Sequence, residues 1–261
     1  MGSEDIIVTR DGNDIVAVTL NRPAKLNALT KTMWGTLGEI FTELSADNSV
    51  RCIIMSGAGG KAFSPGNDIS EFETDRSNSE QAAAYGQLMA RNIDAMRACP
   101  HPTVAAIQGI CVGGGMEIAG LCDIRICGEQ SRFGVPISKL GLVMGYHEIG
   151  ALKSLVGAGR ALEILLEGRI FDAAEALRLG VVSRVVSDDG VMDEARATAE
   201  RIAAGAPLVH RWHRKFLKRL EDPAPLSDDE IAEGFACYDT EDFQTGYKAF
   251  LEKKAPVFKG R

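Results

Sequence analysis

The run Gly113-Gly114-Gly115-Met116-Glu117 puts bare backbone beside a carboxylate. Glycines let a ligand come close to the main chain, and the free N–H groups at the start of a helix favour negative charge. Glu117 falls in the first turn of the helix that these glycines should open. Together they offer an oxyanion donor and an acid/base group within one small volume. A glycine-eased turn followed by a helix-capping glutamate would read the same way.

A second glycine-rich run, Ser56-Gly57-Ala58-Gly59-Gly60-Lys61-Ala62, satisfies the G-x-G-x-x-A dinucleotide fingerprint. That fingerprint needs a helix to start there and hold a pyrophosphate. Pro65 and Gly66 follow and would break such a helix, so nucleotide binding is disfavoured. Metal sites fare no better. His147-Glu148 begins a zinc-protease pattern, but Ala151 stands where the second histidine is required, and His210 and His213 have no further ligands in reach. No metal is expected. No G-x-S-x-G elbow is present.

These groups must be positioned by an alternation of strands and helices. Runs rich in Val and Ile at Ile15 to Leu20, Cys52 to Met55, Thr103 to Ile107, Asp123 to Cys127 and Val181 to Val186 read as buried strands. From Thr30 to Leu44 the residues Met33, Trp34, Leu37, Ile40, Phe41 and Leu44 form one apolar stripe, with Thr30 as N-cap. A second helix is expected over Ser79 to Ala98, a short one over Met116 to Leu121, and another over Glu148 to Leu155. Strand followed by helix implies an α/β architecture. After about residue 190 only helices are predicted: Asp193 to Ala204, Leu208 to Leu220, Asp228 to Cys237 and Thr240 to Leu251. The reading is a 1–190 core and a 191–261 helical extension in one continuous domain.

The 261 residues carry a net charge of −7, which opposes nonspecific nucleic-acid binding. An anionic ligand would need locally placed lysines or arginines. The basic stretch Arg211 to Arg219 is read first as a solvated helix face, then as a phosphate contact, with membrane binding third. Six cysteines without C-x-x-C spacing, several inside apolar runs, point to a reducing compartment. The acidic start Met1-Gly2-Ser3-Glu4-Asp5 lacks the apolar core of a signal peptide. A soluble, cytoplasmic protein with no membrane partner is expected.

Taken in order, Asn21-Arg22-Pro23-Ala24-Lys25-Leu26-Asn27-Ala28-Leu29, Lys61-Ala62-Phe63-Ser64-Pro65-Gly66-Asn67-Asp68-Ile69 and Gly113-Gly114-Gly115-Met116-Glu117 resemble the enoyl-CoA hydratase/isomerase (crotonase) family. The likeness continues through Cys122 to Arg125, Arg132 to Pro136 and Gly180 to Val182, and ends at Phe250 to Lys259. It implies a spiral of ββα units whose C-terminal helices complete a homotrimer or a dimer of trimers. The substrate would be an acyl-CoA thioester, with no cofactor beyond the CoA it carries. By motif position the N–H groups of Asn67 and Gly114 would hold the thioester oxygen and stabilise its enolate, with Glu117 as general acid or base. Lys25, Lys61, Ala62, Asp68, Ile69 and Gly113 fall among substrate-contacting positions, as do Phe250 and Lys253 near the C-terminus. Ordinary solvated lysines would give Lys25, Lys61 and Lys253 the same signature.

One departure bears on the reaction. Hydratases of the family use a second glutamate, and here Ile137 occupies its place; an isoleucine can neither give nor take a proton. His147 or Glu148 could stand in, and Tyr146 could orient substrate, although Glu148 equally suits the cap of its own helix. Three readings follow: a hydratase/isomerase, a one-carboxylate isomerase, decarboxylase or thioester hydrolase, and a catalytically weak acyl-CoA binding protein.

Overall fold

A computed structural model describes residues 4–261, so the part of the N-terminal reading that falls on Met1 to Ser3 lies outside it. The chain opens with the antiparallel pair β1 (Ile6–Arg10) and β2 (Ile15–Leu20) and the helix α1 (Lys31–Ala46). Thr30 caps α1, its hydroxyl accepting the Met33 N–H at 3.2 Å, and all six residues of the expected stripe are buried. Then come β3 (Cys52–Gly57), β4 (Ala62–Ser64), the single turn α2 (Phe72–Asp75) and α3 (Ser79–Ala98). β5 (Thr103–Ile107) and β6 (Ile110–Val112) lead into α4 (Gly114–Leu121), and β7 (Ile124–Gly128) and β8 (Arg132–Gly134) into α5 (Tyr146–Glu167). β9 (Phe171–Asp172), α6 (Ala173–Leu179) and β10 (Arg184–Val186) finish the mixed part. The last four helices are α7 (Val191–Ala203), α8 (Pro207–Arg219), α9 (Asp228–Glu233) and α10 (Glu241–Leu251).

The strands form two sheets, ordered β1-β2-β3-β5-β7-β10 and β4-β6-β8-β9. β3, β5 and β7 lie parallel in the first, while their successors β4, β6 and β8 lie parallel in the second. Each turn of the spiral thus places one strand in each sheet before its helix, which is the α/β spiral of ββα units expected. β3 and β5 are buried on both faces, as parallel strands between layers require.

Several details differ from the sequence reading. β5 does not pass directly to the glycine-rich helix, because the chain leaves the first sheet and β6 intervenes in the second. Only Arg184–Val186 of the Val181 to Val186 run is strand; the Val181 and Val182 N–H groups instead bond Ala176 O at the end of α6. Asp123 stays outside β7 because its side chain accepts the Thr103 N–H and hydroxyl at 2.7 and 3.0 Å. The helix expected over Glu148 to Leu155 starts at Tyr146 and reaches Glu167, kinked at Gly157. The helix drawn to Cys237 stops at Glu233, where Gly234 follows and a 3-10 turn takes over at Ala236–Asp239. Val191, Ala195 and Ala199 of α7 pack on Ile54, Val104 and Ile126, so the core continues past residue 190. The basic helix α8 is fastened to the core: Arg211 bonds Asn48 O at 2.7 Å, and Arg214 bonds Cys99 O and pairs with Asp123. Among the described residues no helix is long and apolar enough to cross a membrane.

Asn27 ties the β2–α1 loop to the second sheet. It is fully buried at φ +63°, a region where Asn is among the tolerated residues. Its Oδ1 accepts the Arg22 N–H at 2.9 Å, and its Nδ2 donates to Ala58 O and Ala62 O at 3.0 and 2.8 Å. Asn27→Ala strands all three partners and should cost about 3 kcal/mol in denaturant unfolding, the cost of unpaired buried groups. Loss of under about 0.5 kcal/mol, the usual surface effect, would show that the loop is held by other contacts.

Candidate active site

The ends of β4 and β6 bring two stretches of main chain into contact. A Cβ built on Gly66 would lie 2.8 Å from Gly114 N and 3.1 Å from Val112 O, and one on Gly115 would lie 2.1 Å from Ser64 O. Gly66 also has φ +99°, so both sterics and backbone conformation require glycine there. Leu29 N donates to Gly66 O and Asp68 N to Leu29 O, each at 2.8 Å. Those two bonds flank Asn67 and turn its own N–H to the opposite side. Gly114 is the first residue of α4, where an N–H has no intrahelical acceptor. Among the described residues neither the Asn67 nor the Gly114 N–H has a protein acceptor.

Trp34 braces both. Its buried indole Nε1 donates to Asn67 Oδ1 at 2.6 Å, and its Cζ2 would sit 3.2 Å from a Cβ on Gly114. The Asn67 amide also reaches Met89 Sδ at 3.9 Å, so its side chain is held among buried groups. The sequence reading took Trp34 for core alone. The available signal was that a buried indole N–H needs an acceptor.

Glu117 is buried in the first turn of α4, and its Oε1 has no hydrogen-bond partner. Burial pushes its carboxyl well above the ordinary 4.5, and the nearby Glu148 carboxyl pushes it further. Glu148 sits in the first turn of α5, where it accepts the Gly145 N–H, and burial raises its carboxyl too. Arg76 is close enough to lower both. The two carboxyls line one small cavity with Gly113, Val135, Met144 and Leu152. Glu117 is the more enclosed of the two, and Glu148 also accepts the Gly145 N–H. The capping role and the site role of Glu148 therefore coexist.

The other expected residues scatter. His147 is exposed and faces Asp94 at 3.5 Å, and Tyr146 is 95% exposed. Ile137 packs half-buried against the core. Lys25, Lys61 and Ile69 lie on the surface, as a CoA contact requires, while Ala62 is buried. Asp68 is taken by Arg22 at 3.1 Å and by the Ser70 hydroxyl at 2.7 Å, which with the Ser70 N–H hold its carboxyl below the ordinary range. Phe250 and Lys253 are exposed at the end of α10. The larger groove between α8 and the ends of α3 to α5 is a network of mutual ion pairs, including Arg97–Glu221 and Lys215–Glu233.

A family profile described as enoyl-CoA hydratase/isomerase matches residues 10–261. The crystal structure of an enoyl-CoA hydratase/carnithine racemase from Magnetospirillum magneticum superposes with a TM-score of 0.97 at 50% identity, covering 100% of this chain and 97% of that one. The (E)-benzylidenesuccinyl-CoA hydratase of Thauera aromatica is 35% identical over 262 residues, 95% of this chain and 96% of its own. The short-chain-enoyl-CoA hydratase of Clostridium acetobutylicum is 33% identical over 265 residues, 100% of both.

A raised carboxyl makes folding proton-binding: above pH 4.5 the unfolded glutamate is ionised while folded Glu117 still holds its proton. Stability from this residue is therefore fully present below 4.5 and lost as pH rises toward the folded pKa. In Glu117→Gln this slope should vanish, so the variant gains on the wild type in denaturant midpoint as pH rises above 4.5. Parallel stability curves for the two proteins would contradict a proton held by Glu117.

Proposed function

This chain belongs to the enoyl-CoA hydratase/isomerase family, and from that premise we propose that it adds water to, or shifts the double bond of, a 2-enoyl-CoA. The thioester oxygen accepts from the Asn67 and Gly114 N–H groups, which stabilise the negative charge as the enolate forms. One such donor contributes about 3 kcal/mol to lowering a barrier. In hydration the Glu148 carboxylate takes a proton from water as its oxygen bonds Cβ, and the Glu117 carboxyl delivers its own to Cα. The pair ends with the proton on the other glutamate, and the product is a 3-hydroxyacyl thioester. Amide dipoles and proton transfer carry the whole step, so it calls for no metal or redox cofactor.

The observation that carries this reading is the second carboxyl beside Glu117. Ile137 alone would favour a one-carboxylate reaction or a binding protein; Glu148, supplied by α5, restores the acid/base pair from a different position. We also propose that α8 to α10 assemble the chain into trimers or paired trimers. Exposed Leu217, Phe235, Phe250 and Leu251 on and around those helices support it.

Crotonyl-CoA hydration tests the first proposal. Glu117→Gln and Glu148→Gln should each lose about 10²- to 10⁴-fold in kcat, the range of a general acid or base. Wild-type turnover undiminished in either variant would remove that residue from the reaction. Trp34→Phe keeps the ring but drops the Asn67 bond, worth about 1 kcal/mol, and should lower kcat several-fold with KM little changed. A change confined to KM would mean that Trp34 does not position the donor.

A further inference from the structure

Gly113, Glu117 and Gly120 share one face at the start of α4 and along it, and Glu148, Ala151, Leu152 and Leu155 share one face of α5. The small cavity that holds both carboxyls lies between these faces, and Gly120, Ala151 and Leu155 are among its walls. The same three residues line the far larger groove under α8, a space of about 920 Å³ whose other walls include Cys99, Leu121 and Trp212. Cavity and groove are therefore two sides of one partition.

That partition is thin. Gly120 has no side chain and Ala151 only a methyl, so Leu155 alone can fill the gap; its Cδ2 lies 3.3 Å from where a Cβ on Gly120 would stand. Leu155 is half-buried, and partly exposed side chains change rotamer readily. The order of groups along α4 also follows the order of atoms in the substrate. The Gly114 N–H faces the thioester oxygen, Glu117 serves Cα about one turn further on, and Gly120 comes about another turn later, at roughly 5.4 Å per turn. Beyond Gly120 the groove offers apolar walls, while its charged residues Arg97 and Glu221, and Lys215 and Glu233, pair with one another.

We propose that the acyl chain beyond Cβ runs along α4, passes Leu155 and ends in the groove under α8. The preferred substrates are then long-chain acyl-CoA thioesters, with Leu155 as the gate that admits their tails. Each methylene that leaves water for apolar walls adds to binding, and a neutral tail suits a groove whose charges satisfy one another. The inference rests on the acyl-CoA reading of the site and adds to it the class of acyl group.

Calorimetry on the full-length protein tests it with two saturated ligands: butanoyl-CoA, which stops short of Gly120, and dodecanoyl-CoA, which would pass it. The wild type should bind dodecanoyl-CoA at least ~100-fold more tightly, a fraction of what full burial of the extra methylenes allows. Leu155→Trp fills the partition and should bring the two ligands within about threefold, with butanoyl-CoA within about twofold of its wild-type affinity, which also reports an intact fold. Should that variant lose both ligands, the milder Leu155→Phe must still weaken dodecanoyl-CoA alone. Equal affinities in the wild type, a preference untouched by Leu155→Trp, or equal loss of both ligands in Leu155→Phe would overturn the proposal and leave the groove to solvent or to another protein chain. If neither thioester binds the wild type, the acyl-CoA reading itself falls, a result distinct from binding without discrimination.

Discussion

Ser64 O and the Cα of Gly115 approach so closely that no side chain fits between them, and Gly66 meets Gly114 N under the same restriction. This contact of bare backbone on bare backbone is the constraint that the rest of the site depends on. It sets the start of α4 against the end of β4, with Gly66, next to Asn67 in the chain, packed on Gly114 N. The second sheet exists to make the contact: β4 and β6 are three residues each and run parallel. The bonds of Leu29 on either side of Asn67 then decide which way its amide faces.

The carboxyl pair depends on the same geometry. Glu117 is carried into the interior by the helix that Gly114 begins, so the residue that opens α4 and the residue that titrates cannot be moved independently. A buried, unpaired carboxylate would be strongly unfavourable. Burial accordingly raises the Glu117 carboxyl, the neighbouring Glu148 raises it further, and Arg76 acts on both in the opposite direction. Two nearby carboxyls that cannot both ionise are suited to giving one proton and taking another.

Much of this was legible in the sequence because it is local. The stripe of α1, its Thr30 cap and the extent of α3 follow from periodicity and capping residues within a single element. The glycine triplet beside Glu117 announces a backbone site with a carboxylate for the same reason. What stayed hidden depends on pairings across long separations. The three-residue strands, β6 among them, carry too few residues to show a period. His147, Tyr146 and Glu148 were equivalent as neighbours in sequence; the direction of α5 buries the third and leaves the first two in solvent. Trp34 was one apolar residue among six, and its bond to Asn67 spans thirty-three positions.

The central claim is that two main-chain N–H groups polarise a thioester carbonyl. The most direct measurement is the isotope-edited vibrational spectrum of a labelled, unreactive acyl-CoA bound to the protein. Donation from the Asn67 and Gly114 amides predicts that the thioester C=O stretch moves to lower frequency than in water, by an amount that shrinks in Trp34→Phe. A carbonyl frequency on the protein equal to or above that of the free thioester in water would contradict the account.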